Sequence, residues 1–130
     1  MKPTAFPPAR ILIVEDETIV AMEIQDLLEA EGWTVTGVST SGEDAVGKAR
    51  DTRPDLVLMD ITLRGGMTGI EAAERILDAG VIPVLFLTAA ADQSGILRIR
   101  ERTDCGFVSK PFEERAFIIE IRRLLQAARR

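Results

Sequence analysis

Four of the five apolar runs in this chain are followed closely by side chains that can do chemistry. Glu15 and Asp16 follow the first run, Asp60 the third and Thr88 the fourth, and Lys110 comes two residues after the fifth. Crowded carboxylates repel one another unless a cation lies between them, and Mg²⁺ prefers such hard oxygen ligands. A carboxylate can also attack phosphorus as a nucleophile. If the fold brings these residues together, they predict phosphoryl transfer assisted by a divalent metal.

The apolar runs predict five strands. Residues 11–14, 56–59 and 84–87 are wholly apolar, as expected of parallel strands that are buried on both faces. Residues 33–38 alternate more, which is typical of a less buried strand, and residues 106–108 form a shorter candidate.

Segments of helical periodicity alternate with these runs. They cover residues 18–31, 41–52, 68–80, 92–102 and 113–128, and the fourth has the weakest pattern. Strict alternation of strands and helices predicts an α/β fold, a doubly wound five-stranded parallel sheet with five helices.

The carboxyl ends of parallel strands share one edge of the sheet, and ligands bind there. Glu15 and Asp16 would hold the metal with one oxygen of Asp60, which leaves the other oxygen free to attack phosphorus. Lys110 would neutralise charge on the transferring group, and Thr88 would donate a hydrogen bond to it. Singly, these residues have ordinary explanations as turn residues, helix-dipole charges or a surface lysine. Their convergence at one edge is what favours a site.

The 130 residues suit one compact domain, for which we expect residues 10–130 after a flexible, proline-containing lead-in over residues 1–9. No apolar run approaches the roughly 20 residues that cross a bilayer, so we expect no membrane contact. The single cysteine, Cys105, excludes an internal disulfide, and we expect a cytoplasmic protein.

The chain has no histidine, which excludes histidine-based catalysis and histidine metal sites. The net charge of −5 argues against direct binding of nucleic acid. Residues 91–130 nevertheless hold nine Lys or Arg and six Asp or Glu, a balance of +3. This last third could carry a partner-binding face, although ordinary solvated charge explains it as well.

Four segments carry a resemblance to a known family: residues 11–17 (ILIVEDE), 56–60 (LVLMD), 86–89 (FLTA) and 106–112 (GFVSKPF). Together they resemble the receiver domain of two-component response regulators, over roughly residues 10–128. The resemblance implies a flavodoxin-like fold with strand order 2-1-3-4-5. It also implies a signalling switch rather than an enzyme, phosphorylated by a histidine kinase or histidine phosphotransfer protein. Self-catalysed phosphotransfer and weak autodephosphorylation are expected with it.

The resemblance assigns roles to the matching residues. Asp60 would be the phosphoacceptor. Glu15, Asp16, Asp60 and the backbone carbonyl of Thr62 would hold Mg²⁺, for which Mn²⁺ could substitute. Asp16 would be a direct ligand of this metal.

Thr88 and Lys110 would contact the phosphoryl group, Phe107 would be the switch aromatic, and the Lys110–Pro111 peptide would be cis. The chain departs from the family pattern in the acidic pair, where Glu15 replaces the more usual Asp. It also departs in the loop over residues 61–69, which is longer and rich in glycine. Phe107 has no hydroxyl to hold an inward state by a hydrogen bond.

On phosphorylation, Thr88 would move to the phosphoryl group and Phe107 would fill the space that it leaves. The surface that responds would be the fourth predicted helix, the fifth strand and the fifth helix. Its candidate partner-binding residues are Arg98, Arg100, Arg102, Arg115 and Arg122. A homodimer through this surface is a further expectation. The simplest interpretation is a single-domain regulator, although the chain could be part of a larger one, and the sequence does not identify the downstream target.

Three other classes of protein compete with this interpretation. A phosphatase of the haloacid dehalogenase type would need an Asp two residues after the nucleophile, where this chain has Thr62. A flavin or nucleotide carrier would need a loop after the first strand that cradles phosphate, and Glu15 and Asp16 would repel phosphate there. A receiver that acts only by docking would usually lack the acceptor, metal or lysine position.

Overall fold

The computed structural model describes residues 8–63, 65–80, 82–89, 99, 102 and 104–128. Within them, five parallel strands form one sheet: β1 (Arg10–Val14), β2 (Thr34–Ser39), β3 (Leu56–Asp60), β4 (Val84–Ala89) and β5 (Cys105–Lys110). Their order in the sheet is β2-β1-β3-β4-β5, which confirms the predicted fold.

Four helices belong to the described residues: α1 (Thr18–Ala30), α2 (Gly42–Thr52), α3 (Gly69–Ala79) and the C-terminal helix (Glu114–Ala128). Five were expected. The additional one, over residues 92–102, lies outside the described residues except for Ile99 and Arg102. Ile99 is helical and buried, with 1% of its surface exposed.

The strand register places the chemistry-bearing residues at one edge of the sheet. Asp60, the last residue of β3, is paired with Leu87 of β4, so Thr88 is the next residue along that neighbouring strand. Thr88 is in turn paired with Ser109 of β5, one residue before Lys110. The strands are parallel and nearly flush, and their carboxyl ends therefore meet.

The core lies on both faces of the sheet because successive strand residues point to opposite sides. On one face, Leu12, Val57 and Phe86 pack against α2 and α3 through residues such as Ala49 and Ile76. On the other face, the core consists of strand residues with α1 and the C-terminal helix: Ile11, Ile13, Leu58, Leu85, Leu28, Phe117 and Leu124. Each large aliphatic side chain buried in this way stabilises the fold by about 1.5–3 kcal/mol.

Local capping fixes where α2 and α3 begin. The Ser41 hydroxyl accepts a hydrogen bond from the Asp44 backbone N–H at 3.1 Å at the start of α2. At α3, the Thr68 hydroxyl accepts from the Glu71 N–H, while the Glu71 carboxylate accepts from the Thr68 N–H. Such a reciprocal capping box satisfies two backbone donors that would otherwise lack partners.

The structure describes residues 8 and 9 of the expected lead-in. Ala9 is 3% exposed, and its carbonyl accepts a hydrogen bond from the Thr34 N–H, so this residue packs against the sheet. Among the described residues, no helix is both long enough and apolar enough to cross a membrane.

Candidate functional site

Three carboxylates meet at the carboxyl edge of the sheet. Glu15 follows β1 directly and Asp60 ends β3, and they are 1% and 2% exposed. Asp16 is half-buried beside them. One oxygen from each of the three lies within 4.8 Å of the others. Buried carboxylates at this separation are stable only with protons or a cation between them, and the all-oxygen donor set fits Mg²⁺.

The Asp60 carboxylate is held by a tight turn. Its Oδ1 accepts two hydrogen bonds from Thr62, one from the backbone N–H at 2.9 Å and one from the hydroxyl at 2.8 Å. This role was missed in the sequence, which suggested only the Thr62 carbonyl as a metal ligand. The signal was available, because an Asp followed two residues later by a donor is typical of an Asx turn.

Lys110 lies at the end of β5 and faces both buried carboxylates. Its Nζ is 3.2 Å from Oε1 of Glu15 and 3.3 Å from Oδ2 of Asp60. The Lys110–Pro111 peptide bond is cis. Phe112, the next residue, stacks on Phe117 of the C-terminal helix with ring centroids 4.5 Å apart.

The protonation states of Glu15, Asp60 and Lys110 depend on one another. Burial, together with the hydrogen bond and repulsion from Asp60, raises the pKa of Glu15 to about 7. Burial alone would raise the pKa of Asp60, but the hydrogen bonds from Thr62, with Glu15 and Lys110, lower it. Burial opposes the charge of Lys110, yet the two carboxylates raise its pKa. Without a metal, Glu15 and Asp60 therefore share a proton at mildly acidic pH, with Asp60 the ionised member.

Thr88 and Phe107 lie beside the acidic centre, and neither side chain forms a hydrogen bond with Glu15, Asp16 or Asp60. Thr88 is 6% exposed, and its hydroxyl donates to the carbonyl oxygen of Ala89 at 2.9 Å. Phe107 is half-buried and stacks on Phe86, with ring centroids 5.2 Å apart and an angle of 16° between the planes. The switch roles of both residues remain predictions.

The loop that follows Asp60 is anchored in the core. Ile61 and Leu63 are 6% and 8% exposed, and Met67 packs over the start of α2. A Cβ atom added to Gly42 would lie 3.0 Å from Cβ of Met67, which shows how closely the loop approaches α2. Arg64 of this loop lies outside the described residues.

The predicted partner-binding arginines differ in their surroundings. Arg98 and Arg100 lie outside the described residues. Arg102 pairs with Asp78 at 3.2 Å. Arg122 pairs with Glu31, which joins the C-terminal helix to the end of α1. Arg115 is exposed. Two of the described arginines thus already have partners within the chain, and the role of this surface remains a prediction.

Comparison with known proteins agrees with this architecture. A family model described as the response regulator receiver domain matches residues 11–122. The transcriptional regulatory protein PdtaR of Mycobacterium tuberculosis is 34% identical over 108 residues, 83% of this chain and 52% of that protein. The chemotaxis protein CheY of Thermotoga maritima is 31% identical over 105 residues, 80% of this chain and 87% of that protein.

Solved structures show the same relationship. The signal receiver domain of a modulated diguanylate cyclase from Desulfovibrio desulfuricans superposes with a TM-score of 0.86 at 32% identity. That match covers 94% of this chain and 97% of the other. The chain spans about half the length of several curated relatives, PdtaR among them.

Receiver domains of this kind act as phosphoacceptor switches, bind Mg²⁺ at an acidic pocket and interact with histidine kinases or phosphotransfer proteins. The family match covers most of the chain, and the acidic centre described above lies at the edge where such a pocket is expected. The chain belongs to the response regulator receiver family.

Proposed function

We propose that this protein accepts a phosphoryl group on Asp60 from a histidine kinase or a histidine phosphotransfer protein. Glu15, Asp16, Asp60 and the backbone carbonyl of Thr62 would hold Mg²⁺, and Mn²⁺ would substitute for it. Thr88 and Lys110 would contact the transferred group. The observation that carries this proposal is the buried, oriented Asp60 carboxylate between a lysine and two further carboxylates.

The environment of Asp60 suits a nucleophile. Its lowered pKa keeps it ionised at neutral pH, and the two donors of Thr62 fix the direction of its oxygens. Bound Mg²⁺ would supply positive charge to the pocket. Lys110 adds a second cation at the same place, so charge that develops on the transferring group is neutralised by preorganised groups.

Transfer of the phosphoryl group to Asp60 requires no proton transfer. With acetyl phosphate as donor, an oxygen of the Asp60 carboxylate forms a bond to phosphorus. The bond between phosphorus and the acetyl oxygen breaks, and acetate leaves with the electron pair. The product is an acyl phosphate on Asp60, which water later hydrolyses in the weak autodephosphorylation that we expect.

We further propose that phosphorylation draws the Thr88 hydroxyl from the Ala89 carbonyl towards the phosphoryl group and repositions Phe107. The surface around β5 and the C-terminal helix would respond and bind a downstream protein or a second copy of this chain. We place this receiver domain, over residues 10–130, in the cytoplasm, with no direct contact with nucleic acid or membrane.

The direct test is the intact mass of the protein after incubation with Mg²⁺ and acetyl phosphate. We expect one phosphoryl group to be gained by the wild type and lost on mild alkaline treatment. Asp60→Asn should gain none. Asp51→Asn, which changes an exposed aspartate of α2, is the matched control and should be phosphorylated like the wild type.

Beryllofluoride provides an independent readout, because it mimics a bound phosphoryl group without a leaving group. Mg²⁺-dependent binding to the wild type but not to Asp60→Asn would support the site. If neither acetyl phosphate nor beryllofluoride acts on the wild type, the protein is a docking module on a receiver fold.

A further inference from the structure

A cavity lies between α2 and α3, at the ends of these helices that point away from Asp60. Its volume is about 550 Å³, within the range of small-molecule sites. Val46, Ala49, Ile76 and Ile82 form an apolar lining that is continuous with the core. Small residues at Ala79 and Gly80 leave the space open, and a Cβ added to Gly80 would meet nothing within 4 Å.

The charged residues that line this cavity are all arginines. Arg50, Arg53 and Arg75 line it, and no acidic residue is among its lining residues in the described part of the chain. The first 90 residues contain only seven Lys or Arg against fifteen Asp or Glu. Three of those seven cations therefore surround one apolar cavity in the acidic part of the protein.

The three guanidinium groups are available to a ligand. Among the described residues, Arg50 pairs only with its neighbour Asp51 at 3.4 Å, and both side chains are more than 70% exposed, so this pair contributes little. Arg53 and Arg75 form no ion pair with any other described residue. The Arg10 guanidinium adds positive charge nearby, since it donates to the carbonyl oxygen of Arg53 at 3.1 Å.

One ordinary explanation is that Arg50 and Arg53 balance the negative end of the α2 dipole. That explanation does not extend to Arg75, which comes from the other helix and lies four residues before the last residue of α3. Nor does it account for the apolar cavity between the helices. Planar guanidinium groups bind carboxylate, sulfonate or phosphate oxygens through paired hydrogen bonds, while an apolar wall binds the body of a molecule.

We propose that this cavity, the arginine cavity, is a binding site for a small organic anion with an apolar or aromatic body. The acidic group would lie among Arg50, Arg53 and Arg75, and the body would pack on Ala49 and Ile76. The site is separate from Asp60 because α3 spans the distance between them, about 16 Å for its eleven residues. Ligand binding there does not depend on phosphorylation.

Two probes that share an aromatic body separate charge from hydrophobicity. Anilinonaphthalene sulfonate carries one fixed negative charge, and phenylnaphthylamine is its neutral parent. We expect the full chain to bind the sulfonate with fluorescence enhancement and to bind the neutral compound at least tenfold more weakly. Amide chemical-shift changes on adding the sulfonate should be concentrated at Ala49, Ile76 and Gly80.

Variants then identify the groups responsible. Arg75→Gln should weaken sulfonate binding about tenfold without changing that of the neutral probe, since it removes one paired charge-assisted interaction. Arg115→Gln, an exposed arginine of the C-terminal helix, is the matched control and should change neither. Asp60→Asn should bind the sulfonate as the wild type does, which keeps this test distinct from that of the phosphorylation site.

Three results would overturn the proposal. The first is equal binding of the charged and neutral probes. The second is sulfonate binding that survives in a correctly folded Arg75→Gln/Arg50→Gln double variant, with folding verified by its unfolding transition. The third is a set of chemical shifts that changes elsewhere, for example around Phe112.

Discussion

Gly69, the first residue of α3, lies directly against the backbone of Asp60. A Cβ atom at this position would overlap the Asp60 carbonyl oxygen and lie 2.9 Å from Cα of Ile61. Backbone atoms cannot move aside as the end of a flexible side chain does. The helix start and the candidate phosphoacceptor are therefore in contact at a place where only hydrogen fits.

The first prediction concerns this contact. Gly69→Ala should lower the free energy of unfolding by about 1–3 kcal/mol, because the methyl group overpacks a buried contact. It should also slow phosphorylation by acetyl phosphate, since the Asp60 backbone must shift. Urea unfolding and intact-mass time courses measure the two effects. Gly80→Ala is the control: its Cβ meets nothing and its backbone is extended, so both quantities should stay near wild type.

A second prediction addresses the capping box at the same helix. Thr68→Ala should reduce the free energy of unfolding by about 1 kcal/mol, because the Glu71 N–H loses its side-chain acceptor. Thr68→Ser keeps an acceptor oxygen and should recover most of this loss. Equal destabilisation by the two substitutions would show that the methyl group, rather than the cap, stabilises the helix start.

The third prediction separates the stabilising and orienting roles of the Thr62 hydroxyl. Thr62→Val keeps the side-chain shape but removes one of the two hydrogen bonds to Asp60 Oδ1. We expect a loss of about 1 kcal/mol in stability and phosphorylation that is slower by roughly three- to tenfold.

Thr52→Val is the matched control for Thr62→Val, because the Thr52 hydroxyl donates to the Lys48 carbonyl at 2.8 Å, far along α2. Thr52→Val should lower the free energy of unfolding by a similar amount and leave the rate of phosphorylation unchanged. A Thr62→Val protein that is phosphorylated at the wild-type rate would show that the backbone N–H alone orients Asp60.

The fourth prediction is a pH dependence of stability in the metal-free protein. The pKa of Glu15 is about 7 in the folded state, against 4.5 ordinarily, so the folded protein holds a proton that the unfolded chain has lost. Stability should fall as pH rises from about 4.5 to 7, by an amount on the order of 2–3 kcal/mol. The lowered pKa of Asp60 affects stability only below about pH 3.8, the ordinary pKa of this carboxyl, which is outside this pH range.

Urea unfolding in EDTA across this pH range measures the effect. Glu15→Gln should flatten the profile, whereas Glu23→Gln, which changes an exposed carboxylate of α1, should not. Mg²⁺ should stabilise the wild type more at pH 7.5 than at pH 5.5, because at the lower pH it competes with the shared proton. A wild-type profile that is already flat would mean that Glu15 is ionised without a metal.

Periodicity and the positions of glycine and proline were enough to predict a doubly wound parallel sheet and the edge where the site lies, whereas the strand order was implied by the family resemblance. Short, wholly apolar runs are typical of parallel strands buried on both faces, and their alternation with helical segments implies crossovers that bring all carboxyl ends to one edge. Asp60, Glu15 and Lys110 could therefore be placed together from sequence, because each lies at or just beyond the carboxyl end of its strand. Ser41 could be identified as a cap because capping depends on neighbouring residues.

Other features depend on distances between residues that are remote in the chain. Local patterns do not show that Gly69 touches Asp60, that Arg122 pairs with Glu31, or that the burial of Glu15 raises its pKa to about 7. The arginine cavity likewise forms from two helices whose contributing residues lie more than twenty positions apart. Sequence periodicity gives the direction in which a side chain faces, but packing sets the separation between elements, and contacts, proton affinities and cavities depend on that separation.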